Sequence, residues 1–476
     1  MSLRRELLSQ LRSWDVRLPD ELDDDAPLIS SGAIDSLGLF KLVLWIEEKT
    51  GRSVDPRDVD LAAQWDSVRL ILGYLAASGQ PVAARGAARV FPPAAPAAAG
   101  ARIVRYTPQH KAAVAELQTA LWSPDPALNR AYLEWKYEQN PYAGEPRIYL
   151  ALSGDELVGM RGFYRSRWER GSPATTADVL VADDFVVRAD HRDRGLATQI
   201  MREALIDLRD SGSDYVFNLS GGRVTVLNSL AMGWRSAGPL AAVARATRAR
   251  RARMVMRRAL RRLPLAWRYA DDARLAAGGD RQPFLNVARS LGAHRTAAGV
   301  TVRVESRPRP RDMAALVARL AHDGRLRHVR DERYLEWRFR NPRNDYRFLF
   351  VGDDRLHGYL ALVHARASGD AYAPVCIADL EADSPGHRAA LLDAAIAVGR
   401  FSELAAWTAT RDPGLCAELA RRGFGPIDRR FASPGDPCVL VRPVDDARLT
   451  QRWLLDGTPL LELESWDLRM LYSMAG

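Results

Sequence analysis

Apolar residues recur at helical spacing through the first eighty positions and mostly at strand spacing afterwards. A first amphipathic helix is predicted from about Leu3 to Trp14, followed by a polar loop containing Asp23-Asp24-Asp25. A second starts at Asp35-Ser36, a pair suited to an N-cap, and runs through Leu37, Leu39, Phe40, Leu42, Val43, Leu44 and Ile46 to Gly51. A last helix covers about Asp66 to Ala77. Residues 1–78 therefore read as a small helical bundle. Residues 79–101 lose the periodicity and are rich in Ala, Pro and Gly, the composition of a linker; a flexible chain of about 22 residues spans roughly 25 Å.

From residue 102 the pattern repeats itself. Tyr132-Leu133-Glu134-Trp135-Lys136-Tyr137 with Asn140-Pro141 matches Tyr334-Leu335-Glu336-Trp337-Arg338-Phe339 with Asn341-Pro342. Each is followed by two apolar runs around a turn, Ser153-Gly154-Asp155-Glu156 in one copy and Gly352-Asp353-Asp354-Arg355 in the other, which predicts β-hairpins. Leu157-Val158-Gly159 then corresponds to Leu356-His357-Gly358, and Gly233-Trp234 to Gly423-Phe424. Two α/β domains of one type are expected at about 102–240 and 300–445, with the tail to Gly476 returning a strand to one of the sheets. Trp135 and Trp337 read as core anchors. The connector, 241–299, contains ten Arg and no acid between residues 245 and 268, with an apolar helical stripe.

Composition narrows the class. Hydrophobic content of 47% and charged content of 27% describe a soluble globular protein. No run reaches the roughly 18 apolar residues of a membrane span, and the N-terminus has no signal-like stretch, so the cytoplasm is expected. Cys376, Cys416 and Cys438 suggest neither a disulfide framework nor a metal site. Residues 1–80 carry a net charge of −5 within a chain of +9, leaving +14 on the remainder. An acidic head on a basic body favours attraction between the two over nucleic-acid binding. The Arg-rich stripe is read first as a solvated face and next as a dock for that head.

The segment Leu28-Ile29-Ser30-Ser31-Gly32-Ala33-Ile34-Asp35-Ser36-Leu37-Gly38-Leu39 resembles the acyl carrier protein family over residues 3–78. The resemblance implies a four-helix carrier bundle with 4'-phosphopantetheine attached to Ser36. It also implies a phosphopantetheinyl transferase as partner and an acyl-activating ligase acting in trans. A serine at an exposed helix start can present its hydroxyl and keep the phosphate near the positive end of the helix dipole.

A second resemblance rests on Asp184-Phe185-Val186-Val187-Arg188-Ala189-Asp190-His191-Arg192-Asp193-Arg194-Gly195-Leu196-Ala197. An apolar strand, a turn and a helix carry Arg192-x-x-Gly195-x-Ala197, which is similar to the acyl-CoA phosphate loop of the GNAT superfamily of N-acyltransferases. The fold implied is multidomain: an all-α carrier followed by two α/β (α+β) GNAT-like domains with mixed central sheets. By this resemblance Arg192, Arg194, Gly195, Leu196 and Ala197 would cradle the phosphate, and backbone N–H groups near Val186 or Val187 would face the developing oxyanion. Asp184 or Asp183 would deprotonate the acceptor amine. The family's tyrosine position is taken by Ser229, beside Asn228, so the acid role is vacant or filled elsewhere. In the second copy Asp383-Ser384-Pro385-Gly386-His387-Arg388 departs from the pattern, and that copy is expected to be degenerate.

The expected function is acyl transfer from the thioester on Ser36 to a small-molecule amine, in specialised-metabolite or glycan assembly. Two other readings remain open at this stage. The GNAT-like domain could load the carrier thiol from acyl-CoA, or the copies could be non-catalytic and only present the loaded carrier.

Overall fold

The computed structural model describes residues 3–14, 22–29, 33–34, 36–50, 54, 64–77, 101–248 and 291–474, less 172, 193–194, 220–225, 227–228, 231, 366–374, 400, 402, 427–437 and 450. The expected linker up to residue 100 and most of the Arg-rich connector lie outside the described residues; Ala101, placed in the linker by composition, opens a strand. Among the described residues no helix is long and apolar enough to cross a membrane.

The head contains α1 (Leu3–Ser13), α2 (Ser36–Thr50) and α3 (Val68–Ala77). Leu7 and Leu11 of α1 meet Leu39, Leu42, Val43 and Ile46 of α2 and Ile71 of α3 in one buried cluster around Trp65. The acidic loop is tied down at both sides, by Arg4 to Asp24 and by Arg69 to Asp25. These pairs are exposed and contribute little each. The loop is seated more firmly by backbone: Leu28 N–H donates to the Asp66 carbonyl and Ile29 N–H to its carboxylate, each at 2.8 Å.

The first copy comprises β1 (Ala101–Arg105), α4 (Lys111–Leu117), α5 (Pro126–Leu133), β2 (Arg147–Ser153), β3 (Glu156–Arg170), β4 (Thr175–Val187), α6 (Leu196–Leu208), β5 (Tyr215–Asn218) and β6 (Arg235–Pro239). Next come β7 (Ala242–Ala246), β8 (Gly292–Arg295), β9 (Thr301–Glu305), α7 (Pro310–Arg319), β10 (Arg327–His328), α8 (Glu332–Arg338), β11 (Asn344–Val351), β12 (Gly358–Ala365), β13 (Val375–Ala382) and α9 (Pro385–Val398). The second copy finishes with β14 (Glu403–Trp407), α10 (Pro413–Arg421), β15 (Gly425–Pro426) and β16 (Cys438–Pro443). Both hairpins form, β2–β3 and β11–β12.

The two sheets exchange strands. The first runs β1-β2-β3-β4-β5-β16-β6, and the second β15-β7-β14-β13-β12-β11-β9-β8. Thus β16, which follows the second copy, lies between β5 and β6 of the first, and β7 lies between β14 and β15 of the second. Each sheet has one parallel pair, β4–β5 and β13–β14. The run Val439-Leu440-Val441 is wholly buried, as expected of a central strand covered on both faces. Beyond it, the tail is not a strand of either main sheet. It packs between the copies, where Arg338 donates to the Leu471 and Ser473 carbonyls, Tyr334 to Leu471, and Tyr132 to Met474.

At the centre of this seam Trp135 and Trp337 stack at 4.7 Å and 10°. Each indole N–H donates to the other's backbone carbonyl at 2.8 Å. The reciprocity is that of a local two-fold axis relating the copies. Nearby His328 stacks on Tyr334 at 4.0 Å and lies over Tyr472. Burial drives its pKa down to about 3, so the folded protein holds it neutral.

Trp337→Ala is expected to cost about 3–5 kcal/mol in urea unfolding. Trp337→Phe, which retains the stack and loses one donor, should cost clearly less. A second expectation concerns acid. The pKa of His328 is depressed on folding, so its contribution is intact above about pH 6.5 and is lost as the pH falls towards 3, at about 1.4 kcal/mol per pH unit. His328→Phe should flatten that part of the stability–pH curve relative to the parent; superimposable slopes between pH 6 and 4 would contradict the assignment.

Candidate active site

In the first copy β4 and β5 pair at only two positions, Leu180 with Val216 and Val181 with Phe217, and then diverge. At that point β4 carries a bulge: Met160 pairs with Val186 and Gly162 with Asp183, so Arg161 alone faces Asp184 and Phe185. Asp184 adopts a left-handed backbone, φ 49°, which a non-glycine residue occupies only when its surroundings hold it there.

What holds it is a set of four donors on one carboxylate. Lys136 donates to Asp184 at 3.0 Å, Tyr137 at 2.7 Å, the Trp122 indole at 2.8 Å and Gln118 at 3.3 Å. Lys136 also donates to Asp183 at 2.6 Å. The donors come from one continuous helical stretch and its approach. After α5, residues Glu134–Glu138 form a π-helical turn that buries Trp135, Lys136 and Tyr137 in succession. Burial opposes the Lys136 charge, but Asp183 and Asp184 outweigh it and hold its pKa above the usual value. Burial, then the two carboxylates, raise Tyr137 well above its ordinary range, keeping it a hydroxyl donor. Gly162 is needed here because a Cβ would overlap the Tyr137 hydroxyl. The second copy roofs the network: the Arg343 guanidinium lies 4.2 Å from the Trp122 ring centre.

Asp184 is therefore not the cleft-facing strand-end acid that the sequence suggested. Its side chain has no exposure, and Lys136, Tyr137, Trp122 and Gln118 all donate to it. Asp183, 8% exposed, is the nearer of the two to solvent. Val186 is buried beside the bulge and Val187 half-buried, its carbonyl accepting from Arg192 Nε at 3.0 Å. That bond fastens the turn before α6 to the strand.

Gly195 is exposed, with φ 69°, and α6 begins immediately after it. Nothing lies within 4 Å of a Cβ added at 195, so the requirement for glycine there is the backbone angle. Leu196 is buried under α6 and Ala197 is half-buried. Arg194 and Asn228 lie outside the described residues. Ser229 is buried, its carbonyl accepting from the Met232 and Trp234 amides. The next residue, Leu230, packs against both this domain's core and the helical head's core. Ser36 is the first residue of α2.

The second copy has the same splay after β13 and β14 but lines it differently. Asp379 accepts from Tyr359 at 2.7 Å, Arg330 at 3.0 Å and Arg469 at 2.9 Å. Leu468, Arg469 and Met470 of the tail line a space of about 30 Å³ beside β13 and β14, and a larger one of about 170 Å³ lies next to it among Leu380, Glu381, Arg388 and Arg469. At the start of α9 the Ser384 hydroxyl accepts from the His387 amide, so the helix caps itself. Lys136, Tyr137, Trp122, Gln118 and Gly162 were not singled out by sequence reasoning. The available signal was a cation, Lys136 or Arg338, recurring between two aromatic residues of the repeated motif.

Residues 6–75 match the phosphopantetheine attachment site family, and residues 114–229 the acetyltransferase (GNAT) family. Solved structures with a similar fold include a GCN5-related N-acetyltransferase from Anabaena variabilis ATCC 29413, 10% identical over 72% of this chain and 73% of that one, TM-score 0.45. Another is a GCN5-related N-acetyltransferase from Kribbella flavida, 14% identical over 73% and 72%, TM-score 0.40. A tandem GNAT protein from the clavulanic acid biosynthesis pathway is 13% identical over 72% and 99%, TM-score 0.42. No curated protein matches the chain. The chain thus joins a phosphopantetheine-carrying domain to an N-acyltransferase of GNAT type.

Lys136→Met should leave two buried carboxylates uncompensated and destabilise the protein by about 3–5 kcal/mol. Gly162→Ala should cost about 1–3 kcal/mol by displacing Tyr137. The combination Gly162→Ala with Tyr137→Phe should recover part of that loss, because the overlapping hydroxyl is gone; a strictly additive result in denaturant titration would reject the contact.

Proposed function

We propose that the chain transfers an acyl group from a phosphopantetheine thioester on its own Ser36 to an amine acceptor, in the cleft of the first copy. The observation that carries this reading is the contrast between the two helix starts. In the first copy α6 opens at Gly195, which has no side chain to cap it, beside a splayed strand pair. In the second copy α9 is capped by Ser384 and the tail packs against β13. Helix N–H groups that no side chain occupies suit a phosphate. Leu230 of this copy packs against the head as well, which supports a carrier working on the first copy.

The residues divide the work as follows. The arm supplies an activated thioester. Gly195 and the first turn of α6 hold its phosphate, helped by Arg192 and, on the family pattern, Arg194. Backbone N–H groups near Val186 and Val187 stabilise the negative charge that grows on the acyl oxygen. Asp184 acts by holding the bulge that aims those groups, and Asp183 is the carboxylate left to accept the ammonium proton. The amine then forms the new C–N bond as the C–S bond breaks, and the arm's thiolate leaves to be protonated by solvent. Tethering keeps the donor near the millimolar scale. A phosphopantetheinyl transferase, a ligase in trans and a small amine are the partners this scheme requires, and specialised-metabolite or glycan assembly is the setting that suits it.

Ser36→Ala should block addition of the arm by a broad-specificity phosphopantetheinyl transferase, read by intact-protein mass spectrometry. Gly195→Glu and Arg192→Glu should leave arm addition and ligase loading intact and lower acyl transfer at least a hundredfold, whereas Gly386→Glu should change it less than twofold. If Ser36→Ala turns over free acyl-CoA and amine as fast as the loaded parent, the donor is CoA and the carrier serves as acceptor or bystander.

A further inference from the structure

We propose that the second copy binds a divalent transition-metal ion of the zinc class through His357, Asp383 and His387, at the site where its phosphate loop would lie. The three side chains converge from three elements. His357 sits in the turn that leads into β12, Asp383 follows β13, and His387 lies in the first turn of α9. His357 Nδ1 is 2.7 Å from one Asp383 oxygen and His387 Nδ1 is 2.6 Å from the other. One ligand atom from each residue lies within 4.8 Å of the other two.

The backbone beneath them is fixed independently of the side chains. The Asp383 amide donates to the His357 carbonyl at 2.9 Å, and the His387 amide to the Ser384 hydroxyl at 3.2 Å. Ligand atoms around tetrahedral zinc lie about 2.0–2.2 Å from the ion and so about 3.3 Å apart. The ligand atoms, within 4.8 Å of one another, would have to shift by at most about 1.5 Å to reach that spacing, while the ring centres, 5.2 Å apart, already stand at about the separation of two imidazoles bound at 2 Å. Their exposure of 42% and 30% leaves room for that rotation and for water at the remaining position. Two imidazoles and one carboxylate, with no thiolate, suit zinc, cobalt or nickel over calcium or magnesium.

The cluster is particular to this copy. The residue matching His357 in the first copy is Val158, and the amide bonded to its carbonyl belongs to Arg188. Neither offers a ligand of this kind. The helix start opposes a cation only weakly at an exposed position. The Asp383 carboxylate in direct contact outweighs that. The expectation of no metal rested on the cysteines, which take no part here. Bound metal would pin the turn before β12 to the β13–α9 junction, so its role is a brace on the copy that no longer has a phosphate loop.

The test uses the full chain without a histidine tag, titrated with Zn²⁺ by calorimetry and with Co²⁺ by absorbance. One ion per chain is expected, with Co²⁺ giving visible ligand-field bands and no thiolate charge-transfer band. His357→Ala and His387→Ala should each weaken binding at least tenfold. Their combination should abolish it, and also abolish the rise in thermal midpoint that Zn²⁺ produces in the parent. Far-ultraviolet circular dichroism of the metal-free variants should match the parent, since both side chains are partly exposed. No uptake by the parent at saturating Zn²⁺ would leave a hydrogen-bonded surface cluster only and overturn the proposal. Stoichiometric uptake that persists in the double variant would place the ion elsewhere and overturn it equally.

Discussion

The seam between the two α/β copies depends on the reciprocal contact of Trp135 with Trp337. Each indole satisfies a carbonyl on the other copy while the rings stack, so neither copy can complete its core alone. The strand exchange has the same consequence at the level of backbone. β6 hydrogen-bonds only to β16 in its sheet, and β7 to strands of the other copy. A chain built this way cannot discard its second copy even if that copy loses its chemistry. Arg343 from the second copy over Trp122 of the first carries the dependence to the candidate site itself.

The buried charges follow from where the bulge must be. A bulged strand at the cleft forces one residue into a left-handed conformation, and an aspartate tolerates this better than a branched residue. Its charge then needs compensation away from water. In the first copy Lys136 bridges both carboxylates, and Tyr137, Trp122 and Gln118 complete the hydrogen bonding. In the second copy the acid is Asp379, and arginines do the compensating from positions outside the motif, Arg330 and Arg469. Breaking such a set costs more than the set contributes over an apolar substitute. That asymmetry makes the network a device for geometry rather than for stability.

Legibility in the sequence tracked the range of the interactions. The start of α2 at Ser36, the β2–β3 and β11–β12 hairpins and the paired Tyr-Leu-Glu-Trp motifs are local patterns, and each could be read from a few adjacent residues. The insertion of β16 between β5 and β6 could not, because the run Val439-Leu440-Val441 would suit any covered strand. The tail misled for a similar reason. A returning strand was expected there, and instead its carbonyls are taken by Tyr132, Tyr334 and Arg338. Asp184 and Asp183 were recognised as alternatives for one cleft-facing acid, and the sequence could not divide them. Spacing along β4 says which residues stand at the cleft, while only the donors from α5 and the π-turn decide that the Asp184 carboxylate faces inward.

The fate of the second copy can be argued from the same parts. Losing the phosphate loop alone would leave an open splay between β13 and β14 with a buried Asp379 facing water. The tail reduces that liability by placing Leu468 and Met470 beside the strands while Arg469 neutralises Asp379 and Asp467. With the tail packed against β13, the helix start takes a self-capping Ser384. Substitutions at the old phosphate turn are then constrained by folding alone, which is the condition under which His357 and His387 could gather around Asp383. The first copy had no such freedom. Its helix start must keep Gly195 at a positive φ, and its bulge must keep Asp184 in the grip of four donors, so that region can change only where its backbone geometry is preserved.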